Sequence, residues 1–375
     1  RQVGDLGAGV LLLSGGIDDA NGLGTTGTIR FPGSGTLRYG AGITIDLSSR
    51  IVTGLPSIRT MVDTNGNGVA FASPLAGGGR FEKWGPGRLS LTFPGTTELF
   101  VVFVKGGELA VPVGTLRLTG AASESIGPDT YGPASLLVDD ATVSMTGGTL
   151  QAADSLLIGY LTGPNGRLDV TGGLVQVGGD LSTGDGVPAT VSMSGATTQV
   201  TVARDFIAGN RGGNPTVNIS GGTTQITGHF TVGDNSSPTV NVSGGTVSAS
   251  SLRHLGRNNA VVKFTGGTVN VAEVYHQTAN DVANDSLTVN LDVGGLLRTN
   301  RMYLNRTGGT QPLVIHTFAL RFDGGTLKPL SADVVNLMDE ILVAPGAGGT
   351  LIWEGMIEDG GALIDTDGFS ASILR

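Results

Sequence analysis

Val240-Asn241-Val242-Ser243-Gly244-Gly245-Thr246-Val247-Ser248-Ala249 is the stretch whose reading decides the fold. Apolar and polar residues alternate up to a Ser-Gly-Gly step and alternate again beyond it, the pattern of two short strands with one buried face each. The same step recurs at Thr146-Gly147-Gly148, Thr171-Gly172-Gly173, Ser194-Gly195-Ala196, Ser220-Gly221-Gly222 and Thr265-Gly266-Gly267, with looser copies at Gly294-Gly295 and Gly324-Gly325. Successive first glycines of the six best copies lie 25, 23, 26, 23 and 22 residues apart. A steady period in this range is the signature of a solenoid.

Alignment on the first Gly gives the period physical content. Four residues before it stand Val143, Leu168, Val191, Val217, Val240 and Val262; two before it stand Met145, Val170, Met193, Ile219, Val242 and Phe264. Between these apolar columns lies a polar one: Ser144, Asp169, Ser192, Asn218, Asn241 and Lys263. Past the glycines a second run carries Leu150 and Ala152, Val175 and Val177, Val247 and Ala249, Val269 and Val271. A third run ends in Gly at Leu156-Leu157-Ile158-Gly159, Phe230-Thr231-Val232-Gly233 and Leu252-Arg253-His254-Leu255-Gly256.

Three strands per period without helical periodicity predict an all-β fold, a right-handed parallel β-helix in which each strand pairs with its equivalent one coil on. At about 24 residues per coil the chain corresponds to about 15 coils and, at ~4.8 Å per coil, a rod on the order of 70 Å. The Gly pair supplies the corner, since Gly adopts positive φ without steric cost, and the Ser or Thr before it is placed to form a hydroxyl ladder. Asn214-Pro215, Ser237-Pro238 and Gly163-Pro164-Asn165-Gly166 mark a further, variable corner. The expected organisation is an N-terminal solenoid segment over 1–115, regular coils over 116–310 and a C-terminal segment over 311–375 that echoes residues 29–73.

Composition agrees with an ordered β fold. Gly accounts for 64 of 375 residues and charged residues for only 14%, yet 39% are hydrophobic, enough to fill an interior rather than leave the chain disordered. A net charge of -9 and a pI near 4.9 provide no basic stripe for nucleic acid or anionic membranes. The absence of Cys excludes disulfides and thiolate metal sites. No apolar run reaches the roughly 20 residues of a membrane span, so no membrane insertion is expected. The chain opens on Arg1 rather than Met, which reads as a processed product or a fragment.

The flanks resemble one another. Ile29-Arg30-Phe31-Pro32-Gly33-Ser34-Gly35-Thr36-Leu37 is followed by Val62-Asp63-Thr64-Asn65-Gly66-Asn67-Gly68-Val69; Leu320-Arg321-Phe322-Asp323-Gly324-Gly325-Thr326-Leu327 is followed by Ile364-Asp365-Thr366-Asp367-Gly368-Phe369-Ser370. With Gly85-Pro86-Gly87-Arg88-Leu89-Ser90-Leu91 and Gly106-Gly107-Glu108-Leu109, these lines resemble the autotransporter-associated β-strand repeat of large secreted or surface proteins in planctomycetes and related bacteria. The resemblance covers most of the chain. It departs from the family at Phe93-Pro94-Gly95-Thr96-Thr97, where a different turn is usual. It implies an extracellular or cell-surface β-helical stalk, coat or adhesin and carries over no catalytic residues.

The line at Asp63 is followed about 20 residues later by Gly85-Pro86-Gly87, whereas only ten residues follow Asp365. The missing continuation has its counterpart in Leu6-Gly7-Ala8-Gly9-Val10-Leu11-Leu12-Leu13. Two expectations follow: a head-to-tail homopolymer in which one subunit completes the next, or a piece of a longer tandem chain.

Candidate chemistry is sparse. Asp63-Thr64-Asn65-Gly66-Asn67-Gly68 matches the first half of an EF-hand loop, but Pro74 stands where the bidentate Glu belongs, so an Asx-rich turn is the expectation; Asp365-Thr366-Asp367-Gly368 reads the same way. Ser155, Asp180, Asp205, His229 and Leu252 share an aligned column, and Asp180 with Asp205 provides the only carboxylate pair suited to acid/base cleavage of a polysaccharide. His229, His254, His276 and His316 show no His-x-His or His-x3-His spacing, so no local zinc motif, metal or cofactor is expected. Gly77-Gly78-Gly79 lacks the Lys-Ser/Thr of a phosphate loop. Asn218-Ile219-Ser220, Asn235-Ser236-Ser237, Asn241-Val242-Ser243 and Asn305-Arg306-Thr307 are formal sequons, and Asn218 and Asn241 also suit a side-chain ladder. The resulting expectation is a structural, non-enzymatic extracellular protein. A glycan- or cell-binding adhesin and a polysaccharide-degrading enzyme are the alternatives; 12 Phe, 5 Tyr and 2 Trp leave little for a large sugar-binding platform.

Overall fold

The computed structural model describes residues 27–122, 133–160, 163, 165–278, 284–306, 315–331 and 351–365. It also gives the strand backbone at Val10–Leu12, Gly16–Ile17, Ser125–Ile126, Asp129–Thr130, Asn336–Val343, Thr350 and Ser372–Ile373. Among the described residues the regular structure is strand, apart from a short 3-10 turn at Ser48–Arg50, and no helix is long and apolar enough to cross a membrane. The chain forms two compact units, Arg1–Gly179 and Asp180–Arg375. Each is an all-β parallel solenoid.

In the second unit the two apolar columns stack as the repeat predicts. Val191 pairs with Val217, Val217 with Val240 and Val240 with Val262; Met193, Ile219, Val242 and Phe264 follow in step. The ladder runs two coils further than the regular repeat, through Val289 and Leu320 in one column and Leu291 and Phe322 in the other. Every one of these side chains is buried, with at most 3% of its surface exposed. Each such burial is worth about 1.5–3 kcal/mol, and the entropy of ordering the chain offsets most of it.

The Gly pair behaves differently from a simple strand break. Thr239–Gly256 is one unbroken strand through Gly244 and Gly245, and the register slips by one residue there, so Ser243 lies opposite Gly266 rather than opposite a Ser or Thr. The hydroxyls therefore do not bond one another. Thr171 Oγ1 donates to Met145 O at 3.2 Å, and Ser220 Oγ donates to Met193 O at 3.5 Å. The corner is a bulge closed by side chain to backbone bonds between coils.

In the first unit another ladder, the one that reaches the third run of the coil at Ile158, reads Leu37, Val62, Lys83, Val104, Val138 and Ile158. Lys83 thus occupies a core position between two valines, fully buried. Its ammonium donates to Trp84 O at 2.9 Å, Gly85 O at 2.7 Å and Gly106 O at 3.0 Å. Beside it the buried Glu82 accepts from Arg80 Nε at 2.6 Å and Trp84 Nε1 at 2.7 Å and pairs with Arg59 at 3.0 Å. Arg80 lies 4.2 Å above the Phe103 ring.

Candidate functional site

The second unit brings three of the four histidines together, although none is near another in sequence. His254 and His276 sit on the strands Thr239–Gly256 and Asn259–Thr278, which pair in parallel with these residues opposite each other. Their separation of 22 residues is one coil, the same as that from Gly244 to Gly266. The rings stack with centroids 4.7 Å apart. Across the next corner the strand Asp285–Asp292 begins, and Asp285 pairs in register with His316 of Ile315–Asp323. Two columns thus meet at one edge of the interior.

A continuous chain of hydrogen bonds results. His254 Nδ1 lies 2.8 Å from His276 Nδ1, His276 Nε2 lies 2.7 Å from Asp285 Oδ1, and His316 Nδ1 lies 2.6 Å from the same oxygen. Neutral imidazoles each own one N–H, and a single assignment satisfies all three bonds. His276 donates from Nε2 and His316 from Nδ1 to the carboxylate, and His254 donates from Nδ1 to His276 Nδ1. Three lone-pair atoms remain buried without a hydrogen-bond partner: His254 Nε2, His316 Nε2 and Asp285 Oδ2.

Burial alone pushes the Asp285 carboxyl up, but the hydrogen bonds and attraction of His276 and His316 outweigh it and pull it down to about 2. His254 is held well below the ordinary imidazole range, first by burial and then by His276 beside it. His254, His276 and His316 are completely buried and Asp285 is 3% exposed. Gly256 makes room for the cluster, since a Cβ there would stand 2.6 Å from both Asp285 Oδ2 and His276 Cε1. A groove of about 340 Å³ opens beside Asp285, with Asn259, Asn284, Ser286, Thr317, Arg321 and Glu354 along its walls.

The column of Asp180, Asp205 and His229 is also assembled, with one change: His229 lies opposite Ser251, not Leu252, because the register slips between Thr231 and Asp234, so the glycines that close the two runs are not equivalent. Asp180 Oδ1 accepts the Asp205 N–H at 3.0 Å, and Asp205 Oδ1 accepts the His229 N–H at 2.7 Å. Asp205 Oδ2 pairs with Arg253 at 3.0 Å, and Asp180 with Arg204 at 3.5 Å. Both carboxylates therefore serve as backbone acceptors between coils. His229 joins Ser251 Oγ at 2.7 Å and stands apart from the other histidines.

The turn at Asp63 is an Asx turn: Asp63 Oδ1 accepts the Asn65 N–H at 2.8 Å, and Asn65 and Gly66 have φ of 49° and 83°. Asn65 Oδ1 accepts from Arg38 and Asn67 Oδ1 from the Gly42 N–H, each at 2.8 Å, so both amide oxygens already serve neighbouring groups. Asp365 pairs with Lys328 at 2.6 Å, while Thr366 to Ser370 lie outside the described residues. So do Leu6 to Gly9, Leu13, Pro164 and Thr307. Gly79 N donates to Thr53 Oγ1 at 2.8 Å, and a Cβ on Gly77 would meet Thr53 O at 2.3 Å, which is coil packing rather than a phosphate cradle. Asn241 Nδ2 donates to Asn218 Oδ1 at 2.9 Å, the ladder the shared column suggested.

The fold and the site define an all-β parallel solenoid that carries a buried His-Asp cluster. Compared with family models, curated proteins and solved structures, the chain matches none.

Proposed function

We propose that this chain is a structural protein, a β-solenoid segment of an extracellular stalk, sheath or filament, without catalytic turnover. The observation that carries this reading is the use of Asp180 and Asp205. Asp180 and Asp205, which the aligned column sets in line, each accept a backbone N–H from the next coil, and each is paired with an arginine. A general acid needs a free proton aimed at a glycosidic oxygen, and carboxylates committed in this way serve rigidity instead. The likeness of Gly85 to Leu91 and of the Asp63 line to a surface-protein repeat supports an extracellular setting. Because each coil offers the next a parallel backbone edge in the same register, copies associate head to tail, which is a heterologous contact.

The test combines two measurements on the purified chain. Light scattering and negative-stain microscopy across a concentration series should show linear assemblies; a particle that stays monomeric throughout refutes the assembly. Incubation with a panel of polysaccharides should release no new reducing ends. Release that disappears in Asp205→Asn makes the chain an enzyme.

A further inference from the structure

We propose that His276, Asp285 and His316 bind one divalent transition ion of the zinc type, with His254 as the outer partner that orients His276. This goes beyond the structural role, which requires no ligand. Two imidazoles and one carboxylate are the donor set of three-ligand zinc sites. One ligating atom from each of these residues lies within 4.8 Å of the others, all in the interior. The approach is closer still at His276 Nε2 and His316 Nδ1, 2.7 and 2.6 Å from Asp285 Oδ1. Tetrahedral coordination at ~2.0–2.1 Å sets ligand atoms about 3.3 Å apart, so each of these two histidine nitrogens has to draw back from Asp285 Oδ1 by about 0.6–0.7 Å to admit the ion.

An independent observation points the same way. With the three imidazoles neutral, what is left over is entirely acceptor: His316 Nε2 and Asp285 Oδ2, and His254 Nε2 behind them, are buried without a partner. An orphaned buried lone pair costs about 1–3 kcal/mol, and a buried carboxylate with one bare oxygen costs more. A cation answers this deficit, whereas an anion or a further acceptor aggravates it. Gly256 fits the same reading. Its φ lies outside the left-handed region, so its lack of a side chain serves space alone, and the space saved is beside Asp285 Oδ2.

Binding shifts protons within the cluster without releasing any. His276 must present a lone pair at Nε2, so its proton moves to Nδ1 and donates to His254 Nδ1 across the 2.8 Å bond already in place. The His254 proton moves to Nε2, facing the space that Gly233 leaves open and that Ser236 O borders; the Cβ position of Gly233 is 3.0 Å from both atoms. His316 moves its proton from Nδ1 to Nε2. A ligating histidine backed by a hydrogen-bond acceptor is the usual arrangement in metal sites.

The experiment uses the full chain without a polyhistidine tag, freed of metal by chelator and titrated with CoCl2 and ZnCl2. The expected result is saturation at one equivalent, with the intense visible band of tetrahedral cobalt and its displacement by zinc. His316→Gln and Asp285→Asn should abolish it, and His254→Gln should weaken affinity by about 10–100-fold while the stoichiometry stays at one. A chain that takes up no saturable equivalent, or that shows only octahedral cobalt, overturns the proposal. So does a His316→Gln variant with unchanged circular dichroism and unchanged affinity. Should His316→Gln fail to fold, the cobalt spectrum of the unmodified chain and the His254→Gln affinity decide the matter.

Discussion

Replacing Gly245 by Ala should destabilise the second unit by about 2–5 kcal/mol, and the structure separates the two reasons. Gly245 has φ +73°, where a residue with a Cβ costs about 1–2 kcal/mol. The added methyl would also stand 2.5 Å from Gly222 O and 2.7 Å from Gly221 C in the neighbouring coil, against the 3.4 Å at which ordinary contact begins. Backbone held by ladders on both sides of a corner cannot retreat that far cheaply, and overpacking of this kind costs about 1–3 kcal/mol. Two variants isolate the terms. Gly212 has φ +89° with nothing within 4 Å of its Cβ, so Gly212→Ala should lose only the conformational part. Gly244 lies outside the positive-φ region but its Cβ would meet Ser220 O at 2.4 Å, so Gly244→Ala should lose only the steric part. Urea unfolding followed by circular dichroism reads the shift in midpoint at constant slope. If Gly245→Ala loses no more than Gly212→Ala, or if Gly244→Ala is neutral, close coil contact at the corner is not what selects the Gly pair.

Lys83→Met tests the charged intrusion into the first unit. Burial lowers the Lys83 ammonium to about 8 while Asp63 pulls the other way, and the unfolded chain keeps its proton up to 10.5. Between these two pH values the unfolded state holds more protons, so stability contributed by Lys83 rises with pH, by up to about 3 kcal/mol. The difference in unfolding free energy between the parent and Lys83→Met should grow across that window, and a flat difference refutes the reading. Glu82→Gln should cost about 3–5 kcal/mol in chemical denaturation, because it leaves Arg80 facing a neutral amide inside the unit. Phe230→Ala should cost about 3–5 kcal/mol, since Phe230 is fully buried and stacks on Phe206 at 4.9 Å; a loss under 1 kcal/mol would mean the column collapses to fill the space.

The apolar columns were legible because solenoid register converts a sequence period directly into contact. Val217, Val240 and Val262 touch in space because they are equivalent in the repeat. The same rule made the Asn218–Asn241 ladder readable, along with the outline of the Asp180, Asp205 and His229 column. It failed where the period changed. A one-residue slip at the Gly pair turned the hydroxyls of Ser220 and Thr171 toward backbone, and a second slip between Thr231 and Asp234 put Ser251 where Leu252 was expected. The His-Asp cluster was missed for a different reason. Metal motifs are usually sought at local spacing, but in this fold neighbours are one coil apart, and the 22 residues between His254 and His276 carried that signal openly. Asp285 and His316 lie beyond the regular period, 31 residues apart, and only the structure joins them to the pair.

Two polar intrusions into apolar columns therefore allow a comparison within one molecule. Any polar group in a solenoid interior must find its partners on neighbouring coils, since the interior provides no others. Lys83 does so completely: three N–H bonds meet three carbonyl oxygens, two from its own corner and one from the next. This is how the fold accommodates a charge whose role is structural. The histidine cluster has the same opportunity, with two strands of backbone on either side, yet it leaves three acceptors bare and keeps Gly256 empty of a side chain beside the carboxylate. A merely structural column would gain from replacing His254 and His276 with the Val or Leu that fill the other columns, because a buried network left partly satisfied is less stable than apolar packing. The cluster is thus better explained by something it binds than by what it holds together.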